Sequence, residues 1–570
     1  MTKTKYDLVK RISYTLIHAL LFLSFSIQAN PGPEYNIILI LTDDQSYLTL
    51  QHMPRLMRMA EQKGTIFNNA IVTNPECCPF RASMLSGGFD THETGVKSNN
   101  LLNGSIFKFN DKDTIPLHLQ KSGYATGFIG KYMHGYQPGY VPPGWTSFIA
   151  NENGGKIKDY NKLNKITFGT SSSEPAKGQV KNVQNARSQY VTSFQSDEAI
   201  KFISDHGNDR FFLFLSLYAP HTPHTAEFPE DDIIAKKKEF NCNPPVNLTS
   251  KPVWYKKAFD FVQSNKTKFG NCGEPQLKGQ VALLQSVDRS FEKIYTELDK
   301  KGLLDKTVII FTSDNGVAAG IRELYPDKGM PYEEVLRVPF VVFHPGYRNT
   351  REIDGMVAVN LDIGATISEL VSNTYTGEGK SITCLFEGKD CKRDKILIEN
   401  YGYLEWRNRE RGESLPPVIW SGLRSKKWKY IEYTTGESEL YDLENDPHES
   451  QNVVRDEANA TIVNNLAAEL SGLKGLAITT TEIPEAYTGK PFKFQLQAWG
   501  GTKPYTWYLK KDSLPPGLKL RSDGLLWGIP EKPGKLQTVF TVESTNIAKH
   551  SGKPERFSWE FEINVIEQGN

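Results

Sequence analysis

Four oxygen-bearing side chains stand in two pairs directly after apolar runs of this sequence. Asp43 and Asp44 follow the run NIILILT, and Asp314 and Asn315 follow the run VIIFTS. Adjacent carboxylates repel each other unless a cation shares them, and hard oxygen ligands select Ca²⁺ or Mg²⁺. An isolated Asp-Asn-Gly is more often a turn. The two pairs together nevertheless predict one metal site.

A cysteine that could become a nucleophile stands at the start of a predicted helix. Residues 77–81 read CCPFR, and Pro79 suits the first turn of a helix. The helix N-terminus and the nearby Arg81 both favour the thiolate of Cys77 over its thiol. The alternative interpretation is that Cys77 is a small buried side chain without chemistry.

The cysteines allow disulfides if the chain is exported. There are six of them: Cys77, Cys78, Cys242, Cys272, Cys384 and Cys391. Cys77 and Cys78 need another explanation, because a bridge between adjacent cysteines is strained. For the other four, Cys384 with Cys391 and Cys242 with Cys272 is one possible pairing, and the sequence does not decide it.

The elements that must position these residues form a predicted α/β domain, because residues 35–455 alternate short apolar runs with helical patterns. The runs Asn36–Thr42, Phe211–Leu217 and Val308–Thr312 are continuously apolar, as strands buried on both faces are. Each ends in polar residues, the second of them in Pro220 and His221. Ligands of α/β sheets bind at the carboxyl ends of strands, so we expect a site at this edge.

The last hundred residues differ in composition from the rest. From Leu476 onward, short strand-like runs alternate with Pro and Gly turns, which predicts a small all-β sandwich over 476–570. The segment 514–530 (LPPGLKLRSDGLLWGIP) resembles bacterial immunoglobulin-like modules of secreted proteins.

The N-terminus predicts export. A basic stretch that ends at Arg11 precedes the apolar run Ile12–Ile27, and cleavage after Ala29 gives a signal peptide over 1–29. The alternative is an uncleaved anchor, but the run is short for a membrane span. We therefore expect a periplasmic or secreted protein without a stable membrane anchor.

Length and charge limit the other possibilities. A chain of 570 residues suggests two to four domains. Its 67 basic and 66 acidic residues give a net charge of +1, so no global field attracts nucleic acid, and we expect no nucleic-acid partner. Glycosylation sequons begin at Asn103, Asn247, Asn265 and Asn459.

With these residues in view, the chain resembles the type I sulfatases, the formylglycine-dependent branch of the alkaline phosphatase superfamily. The Cys-x-Pro-x-Arg segment at 77–81 is followed by Leu-Ser-Gly at 85–87, as in that family. The resemblance implies that a maturation enzyme oxidises Cys77 to formylglycine. It also implies that Asp43, Asp44, Asp314, Asn315 and residue 77 hold one Ca²⁺, or Mg²⁺.

The same resemblance implies the remaining site residues. Lys131 in the Gly-Lys-Tyr segment and Lys328 ahead of a Tyr-Glu and Val-Pro block would contact sulfate, together with Arg81. His221 in the Pro-His-x-Pro segment would protonate the leaving oxygen. His134 is a further candidate for a sulfate contact or second base, and His224 is either an extra site residue or a surface residue.

The implied fold is an alkaline-phosphatase-like α/β sandwich of helices around a large mixed sheet. The catalytic domain would span 30–395, a C-terminal sulfatase subdomain 396–475, and the immunoglobulin-like domain 476–570. The closest motif resemblance is to N-acetylglucosamine-6-sulfatase-like enzymes that act on polysaccharides.

The implied activity is hydrolysis of sulfate monoesters on a sulfated oligo- or polysaccharide, either a glycosaminoglycan or an algal polymer such as ulvan or carrageenan. One alternative is a phosphomonoester or phosphonate hydrolase of the same superfamily. Another is an immature, non-catalytic sugar-binding protein. Phe80 leaves that second alternative open, because the family usually has Ser or Ala at this position.

Overall fold

The structure is a computed structural model. It describes residues 35–151, 157–162, 165–182, 190–240, 246–264, 274–318, 327–347, 351–371, 377–389, 393–402, 419–509 and 514–567. The predicted signal peptide, Cys242, Cys272 and Cys391 lie outside these residues. Cys384 is disulfide-bonded, whereas Cys77 and Cys78 are free.

The described residues form an alternating series of strands and helices in the first two thirds of the chain and strands almost alone in the last. The strands are β1 (Asn36–Thr42), β2 (Thr65–Ile71), β3 (Ala125–Gly130), β4 (Tyr140–Val141), β5 (Ser147–Asn151), β6 (Lys165–Gly169), β7 (Ala176–Lys177), β8 (Gln179–Asn182), β9 (Phe211–Ser216), β10 (Thr307–Ser313), β11 (Phe340–Phe343), β12 (Arg351–Ala358), β13 (Lys395–Tyr401), β14 (Ile419–Ser425), β15 (Trp428–Tyr433), β16 (Ser438–Asp442), β17 (Ala477–Ile478), β18 (Ala486–Tyr487), β19 (Phe492–Gln495), β20 (Ala498–Trp499), β21 (Thr506–Leu509), β22 (Leu518–Leu520), β23 (Leu525–Gly528), β24 (Gly534–Ile547) and β25 (Pro554–Ile566). The α-helices are α1 (Pro54–Lys63), α2 (Cys77–Leu85), α3 (Thr91–Thr94), α4 (Ile115–Lys121), α5 (Val191–His206), α6 (Pro229–Lys236), α7 (Val253–Ser264), α8 (Glu274–Lys300), α9 (Glu333–Leu336), α10 (Val359–Leu370), α11 (Thr383–Phe386) and α12 (Ala460–Ser471).

A ten-stranded mixed sheet forms the centre of the molecule, in the order β12-β2-β11-β10-β1-β9-β3-β5-β6-β8. Its middle strands β10, β1, β9 and β3 are parallel. All of β1 is buried, and alternate residues face opposite cores, with Leu39 in one and Ile40 in the other. Helices cover both faces, so the predicted α/β fold is confirmed.

Two smaller units follow along the chain. The strands β13-β14-β15-β16 form an antiparallel sheet, against which α12 packs through Leu466 and Leu470. The last unit has one sheet of β18-β25-β24-β21 and another of β19-β23-β22. These two sheets enclose a core that includes Trp507, Phe540 and Phe557, which confirms the predicted β-sandwich.

The β-sandwich packs directly on the α/β domain. Lys97, 1% exposed, donates hydrogen bonds to Oε1 of Glu555 and to the carbonyl of Leu476, each at 2.7 Å. Asn103 pairs with the backbone of Ser558 in β25: its Nδ2 donates to the carbonyl at 2.7 Å, and its Oδ1 accepts from the amide at 2.8 Å. The sandwich therefore holds residues 97–103 by buried polar contacts.

A buried histidine beside this interface makes stability depend on pH. Nδ1 of His92 lies 3.1 Å from Oε1 of Glu399. Burial opposes protonation of His92, but the Glu399 carboxylate outweighs it and raises the pKa of His92 from 6.5 to about 10. At pH values between 6.5 and about 10, His92 is protonated in the folded chain and mostly deprotonated in the unfolded chain. We therefore expect stability to fall with rising pH, by up to about 1.4 kcal/mol per pH unit.

This prediction is checked by melting curves of the wild type and the variant His92→Gln at pH 7 and pH 9.5. The wild type should lose more stability over this interval than the variant does. His118→Gln is the matched control, because that histidine pairs with Asp113 at the surface. Equal pH slopes in the wild type and His92→Gln would contradict the assignment.

Candidate active site

The carboxyl ends of the four parallel central strands deliver most of the candidate residues to one place. Thr42 at the end of β1 pairs in register with Ser313 at the end of β10. Asp43 and Asp314 therefore emerge side by side, each with 0% exposure. Lys131 follows β3 directly, on the far side of β9.

Three carboxylates and a thiol converge at this edge. One ligand atom each from Asp43, Asp44, Cys77 and Asp314 lies within 4.8 Å of the other three. Among the described residues, Oδ1 of Asn315 is buried and accepts no hydrogen bond. A buried amide oxygen without a donor beside three carboxylates suits a hard cation, so these residues fit Ca²⁺ or Mg²⁺.

Cys77 opens α2 with its thiol inside this cluster. Sγ donates to Oδ1 of Asp43 at 3.4 Å and accepts from Nζ of Lys328 at 2.7 Å. Burial and the neighbouring Asp314 raise the pKa of Cys77 well above its ordinary value. The unmodified thiol is therefore protonated here, contrary to the thiolate that the helix N-terminus alone predicts.

Two buried lysines balance the carboxylates. Nζ of Lys131 lies 2.5 Å from Oδ2 of Asp43, and Nζ of Lys328 lies 2.5 Å from Oδ1 of Asp44. Burial alone would raise the pKa of Asp43, but Lys131 and His221 hold it well below its ordinary range. Gly130 permits this arrangement, because a Cβ there would lie 1.9 Å from the carbonyl oxygen of Ser216.

Arg81 lies beneath the cluster with 1% exposure. Its Nη2 donates to Oδ2 of Asp314 at 2.9 Å. Its Nη1 donates to the carbonyl of Lys131 at 2.7 Å and to Oγ of Ser216 at 2.5 Å. The guanidinium thus connects α2 to the ends of β10, β3 and β9, which fixes the geometry of the acidic and basic residues.

The histidines differ in how they face the cluster. Nδ1 of His221 donates to the carbonyl of Thr222 at 2.7 Å, so Nε2 faces Asp44 at 3.5 Å. His134 donates its backbone amide to Sγ of Cys78 at 3.0 Å. Burial and the charge of Lys131 lower the pKa of His134 well below its ordinary value, which keeps it neutral.

His224 packs against α8. Its Nε2 is buried, and its ring packs against Gly279 on α8. Burial and the neighbouring His221 lower the pKa of His224 to about 4, so it is neutral near pH 7.

Several residues that hold the site in place by hydrogen bonds were not predicted from the sequence. Gln280 donates from Nε2 to the carbonyl of Asp44 at 2.6 Å, and nothing in its helical surroundings marks it. Ser216 was detectable as the polar end of an apolar run, yet it belongs to no motif. Asn99 holds the start of α2, because its Oδ1 accepts from the amide of Cys78 at 2.8 Å.

Family models match almost the whole described chain. A sulfatase model matches residues 35–373. The model of the C-terminal region of N-sulphoglucosamine sulphohydrolase matches 322–475, and an Ig domain model matches 476–561.

Curated relatives match this chain at low sequence identity over most of its length. The chain is 30% identical over 399 residues to the extracellular sulfatase SULF-1 homolog of Drosophila melanogaster, a match that covers 67% of this chain and 34% of the fly protein. It is 28% identical over 474 residues to the N-acetylglucosamine-6-sulfatase of Capra hircus, which covers 74% of this chain and 80% of the goat protein.

Solved structures share the fold. One was determined in complex with its substrate D-glucosamine-2-N,6-O-disulfate and has a TM-score of 0.61 at 20% identity, covering 77% of this chain and 97% of that chain. The phosphonate monoester hydrolase of Agrobacterium radiobacter has a TM-score of 0.57 at 17% identity, covering 76% and 94%. The fold alone therefore does not separate sulfate from phosphonate chemistry.

Proposed function

This chain belongs to the sulfatase family, and we propose that it hydrolyses sulfate monoesters of a sulfated carbohydrate through a formylglycine made from Cys77. The observation that carries the proposal is the position of Cys77. Its Sγ lies between the carboxylate of Asp43 and the ammonium of Lys328 at the buried start of α2. A group at residue 77 would meet both a metal and a sulfate there.

A Ca²⁺, or Mg²⁺, would be held by Asp43, Asp44, Asp314, Asn315 and the modified residue 77. When bound, the ion would acidify the hydrated aldehyde of residue 77 and balance negative charge on sulfate. The orphaned Oδ1 of Asn315 supports this assignment.

The chain's own cations would bind and orient the ester. Lys131 and Lys328 present ammonium groups to the same small volume, so they would neutralise the sulfate oxygens. Each lysine is paired with a carboxylate of the cluster. Arg81 would maintain the positions of Asp314 and Lys131 through its hydrogen bonds, and would add positive charge behind them.

His221 would protonate the departing sugar oxygen. Nδ1 is bonded to the carbonyl of Thr222, which orients the ring and leaves Nε2 to carry the transferable proton. The side chain is 14% exposed, so it can reach a substrate at the opening of the site. A sugar alkoxide is a poor leaving group and needs this proton more than a nitrophenolate does.

We therefore expect His221→Gln to lower kcat on a sugar sulfate by about 10²–10⁴-fold. The loss on 4-nitrophenyl sulfate should be much smaller. Steady-state rates on both esters check this, with His118→Gln as the histidine control, because His118 pairs with Asp113 outside the candidate site. Equal losses on the two esters would contradict a role for His221 as general acid.

The remaining expectations concern the substrate, processing and domain division. We propose a glycosaminoglycan or an algal polysaccharide as substrate, a formylglycine-generating enzyme as maturation partner, and export to the periplasm or medium. Relatives named as extracellular sulfatases support export. We also propose three functional units: a catalytic domain over 30–395, a C-terminal sulfatase subdomain over 396–475 and an immunoglobulin-like domain over 476–570. Within the described ranges, no helix is long and apolar enough to span a membrane.

The test is sulfate release from a panel of sulfated polysaccharides and their oligosaccharides, measured beside phosphate and phosphonate monoesters. The protein should be produced with a maturation enzyme, and the mass of the peptide with residue 77 should be recorded. Sulfate release by converted protein supports the proposal. Preferential turnover of phosphate or phosphonate esters by converted protein would replace it with the hydrolase alternative. An unconverted Cys77 and no turnover would favour the sugar-binding alternative.

A further inference from the structure

Two large apolar side chains lie exposed on the segment 97–108, which we call the rim loop. Leu101 is 65% exposed and Phe107 is 62% exposed. Most other large apolar side chains of the α/β domain are buried, and neither of these two fills a core. Exposed apolar groups at the mouth of a polar site commonly mark a ligand contact.

The ring of Phe107 packs on the segment that carries His134. The backbone amide of Ile106 donates to the carbonyl of His134 at 3.0 Å. Cε2 of Phe107 lies 3.0 Å from the position that a Cβ at Gly135 would occupy, so the ring rests on the residue after His134. The amide of His134 in turn donates to Sγ of Cys78 at 3.0 Å, and Cys78 adjoins Cys77. Contacts through His134 and Cys78 therefore link Phe107 to the residue proposed as the nucleophile.

The rim loop is held in place rather than free. Asn103 makes its two hydrogen bonds to the backbone of Ser558 in the β-sandwich. Oδ1 of Asn100 accepts from the amides of Leu102 at 3.1 Å and Asn103 at 2.9 Å. A contact surface that is fixed before binding loses little entropy when a ligand arrives.

We propose that Phe107 is a stacking platform for a sugar ring of the substrate, next to the ring that carries the scissile sulfate. This inference rests on the proposed function, since it takes a sulfated oligosaccharide as the ligand. One face of a pyranose ring is lined with C–H groups and packs on an aromatic face, while its hydroxyls stay in water. A platform outside the lysines proposed to bind sulfate would distinguish an oligosaccharide from a single sulfated sugar.

The test measures kcat/KM on a sulfated tetrasaccharide and on the corresponding sulfated monosaccharide. For Phe107→Ala we expect the ratio of the two values to fall about tenfold, chiefly through KM for the tetrasaccharide. Phe107→Trp should retain the ratio within about threefold, because the aromatic face is kept. Trp527→Ala is the matched control, because Trp527 is 43% exposed on the β-sandwich.

A binding measurement separates failure of this inference from failure of the proposed hydrolysis. In the Cys77→Ala background, calorimetry with heparin-derived and ulvan-derived tetrasaccharides should give a Kd about tenfold weaker when Phe107 is alanine. That result supports the platform even if no sulfate is released. An unchanged Kd, an equal loss with Trp527→Ala, or no binding of either tetrasaccharide would overturn it.

Discussion

Replacing Cys77 with alanine should lower kcat/KM for sulfate release by about 10³-fold or more, with the fold retained. Cys77 is the proposed nucleophile at the candidate metal site. Removal of a nucleophile commonly lowers activity by this amount. The small alanine side chain fits the start of α2, where Cys77 is 1% exposed. Sulfate release from a sulfated oligosaccharide and a thermal melting curve measure the two parts of this prediction.

The neighbouring cysteine provides a close control. Cys78 is also buried in α2, but its Sγ accepts from the amide of His134 rather than contacting the carboxylates. We expect Cys78→Ala to retain activity within about threefold, although it loses a weak hydrogen bond. If Cys77→Ala retains activity, or if both variants lose it equally, the proposed nucleophile is wrong.

The second large effect is expected from Asp43→Asn, which should lower activity by about 10²-fold or more and abolish the stabilisation by Ca²⁺. The change removes a carboxylate from the proposed ligand set and leaves the buried ammonium of Lys131 without its partner at 2.5 Å. For the wild type, Ca²⁺ at about 100 times its Kd should add about 2.7 kcal/mol of stability. Melting temperatures with Ca²⁺ and with a chelator measure this difference.

Loss of a buried carboxylate can destabilise any protein, so the control must also be buried. Asp288 accepts hydrogen bonds from the backbone amides of Leu56 at 2.8 Å and Arg55 at 3.0 Å, and it lies outside the cluster. Asp288→Asn should lower the melting temperature but keep its rise with Ca²⁺. A normal Ca²⁺ response in Asp43→Asn would remove Asp43 from the ligand set.

The central strands of the large sheet could be predicted from the sequence, because a strand that is buried on both faces appears as a continuous apolar run. The run at Asn36–Thr42 is strand β1 with the same bounds. The edges were harder to predict. Among the strand-like runs after Leu476, Val539–Glu543 predicts only the buried part of β24. The strand extends over Gly534–Ile547 because it pairs with β25. Exposed residues at its start carry no apolar signal.

For the site, motifs identified residues that contact each other but not those that hold them. Asp43, Asp314, Cys77, Lys131 and Lys328 were all named from the sequence, and the structure brings them into one cluster. Gln280 and Asn99 act through hydrogen bonds to residues of other segments. Such contacts depend on tertiary placement, which neither composition nor periodicity encodes.

The loop stretch His92–Asn100 shows the same limit. It carries no motif from which a role in sugar recognition could be decoded. In the structure its polar residues face inward: Lys97 contacts Glu555, and Asn99 contacts the amide of Cys78. The exposed apolar residues of the rim loop begin just beyond it.

The pairing between Asn103 and β25 has a consequence for production in eukaryotic cells. Asn103-Gly104-Ser105 is an acceptor for N-linked glycans, and the glycan would attach to Nδ2, the atom that donates to the carbonyl of Ser558. Asn103 is only 4% exposed, so a glycan does not fit once the two domains have joined. In a secretory pathway, oligosaccharyltransferase would therefore compete with folding for this one amide. In each copy that is glycosylated at Asn103 before folding, the β-sandwich would be unable to pack on the α/β domain.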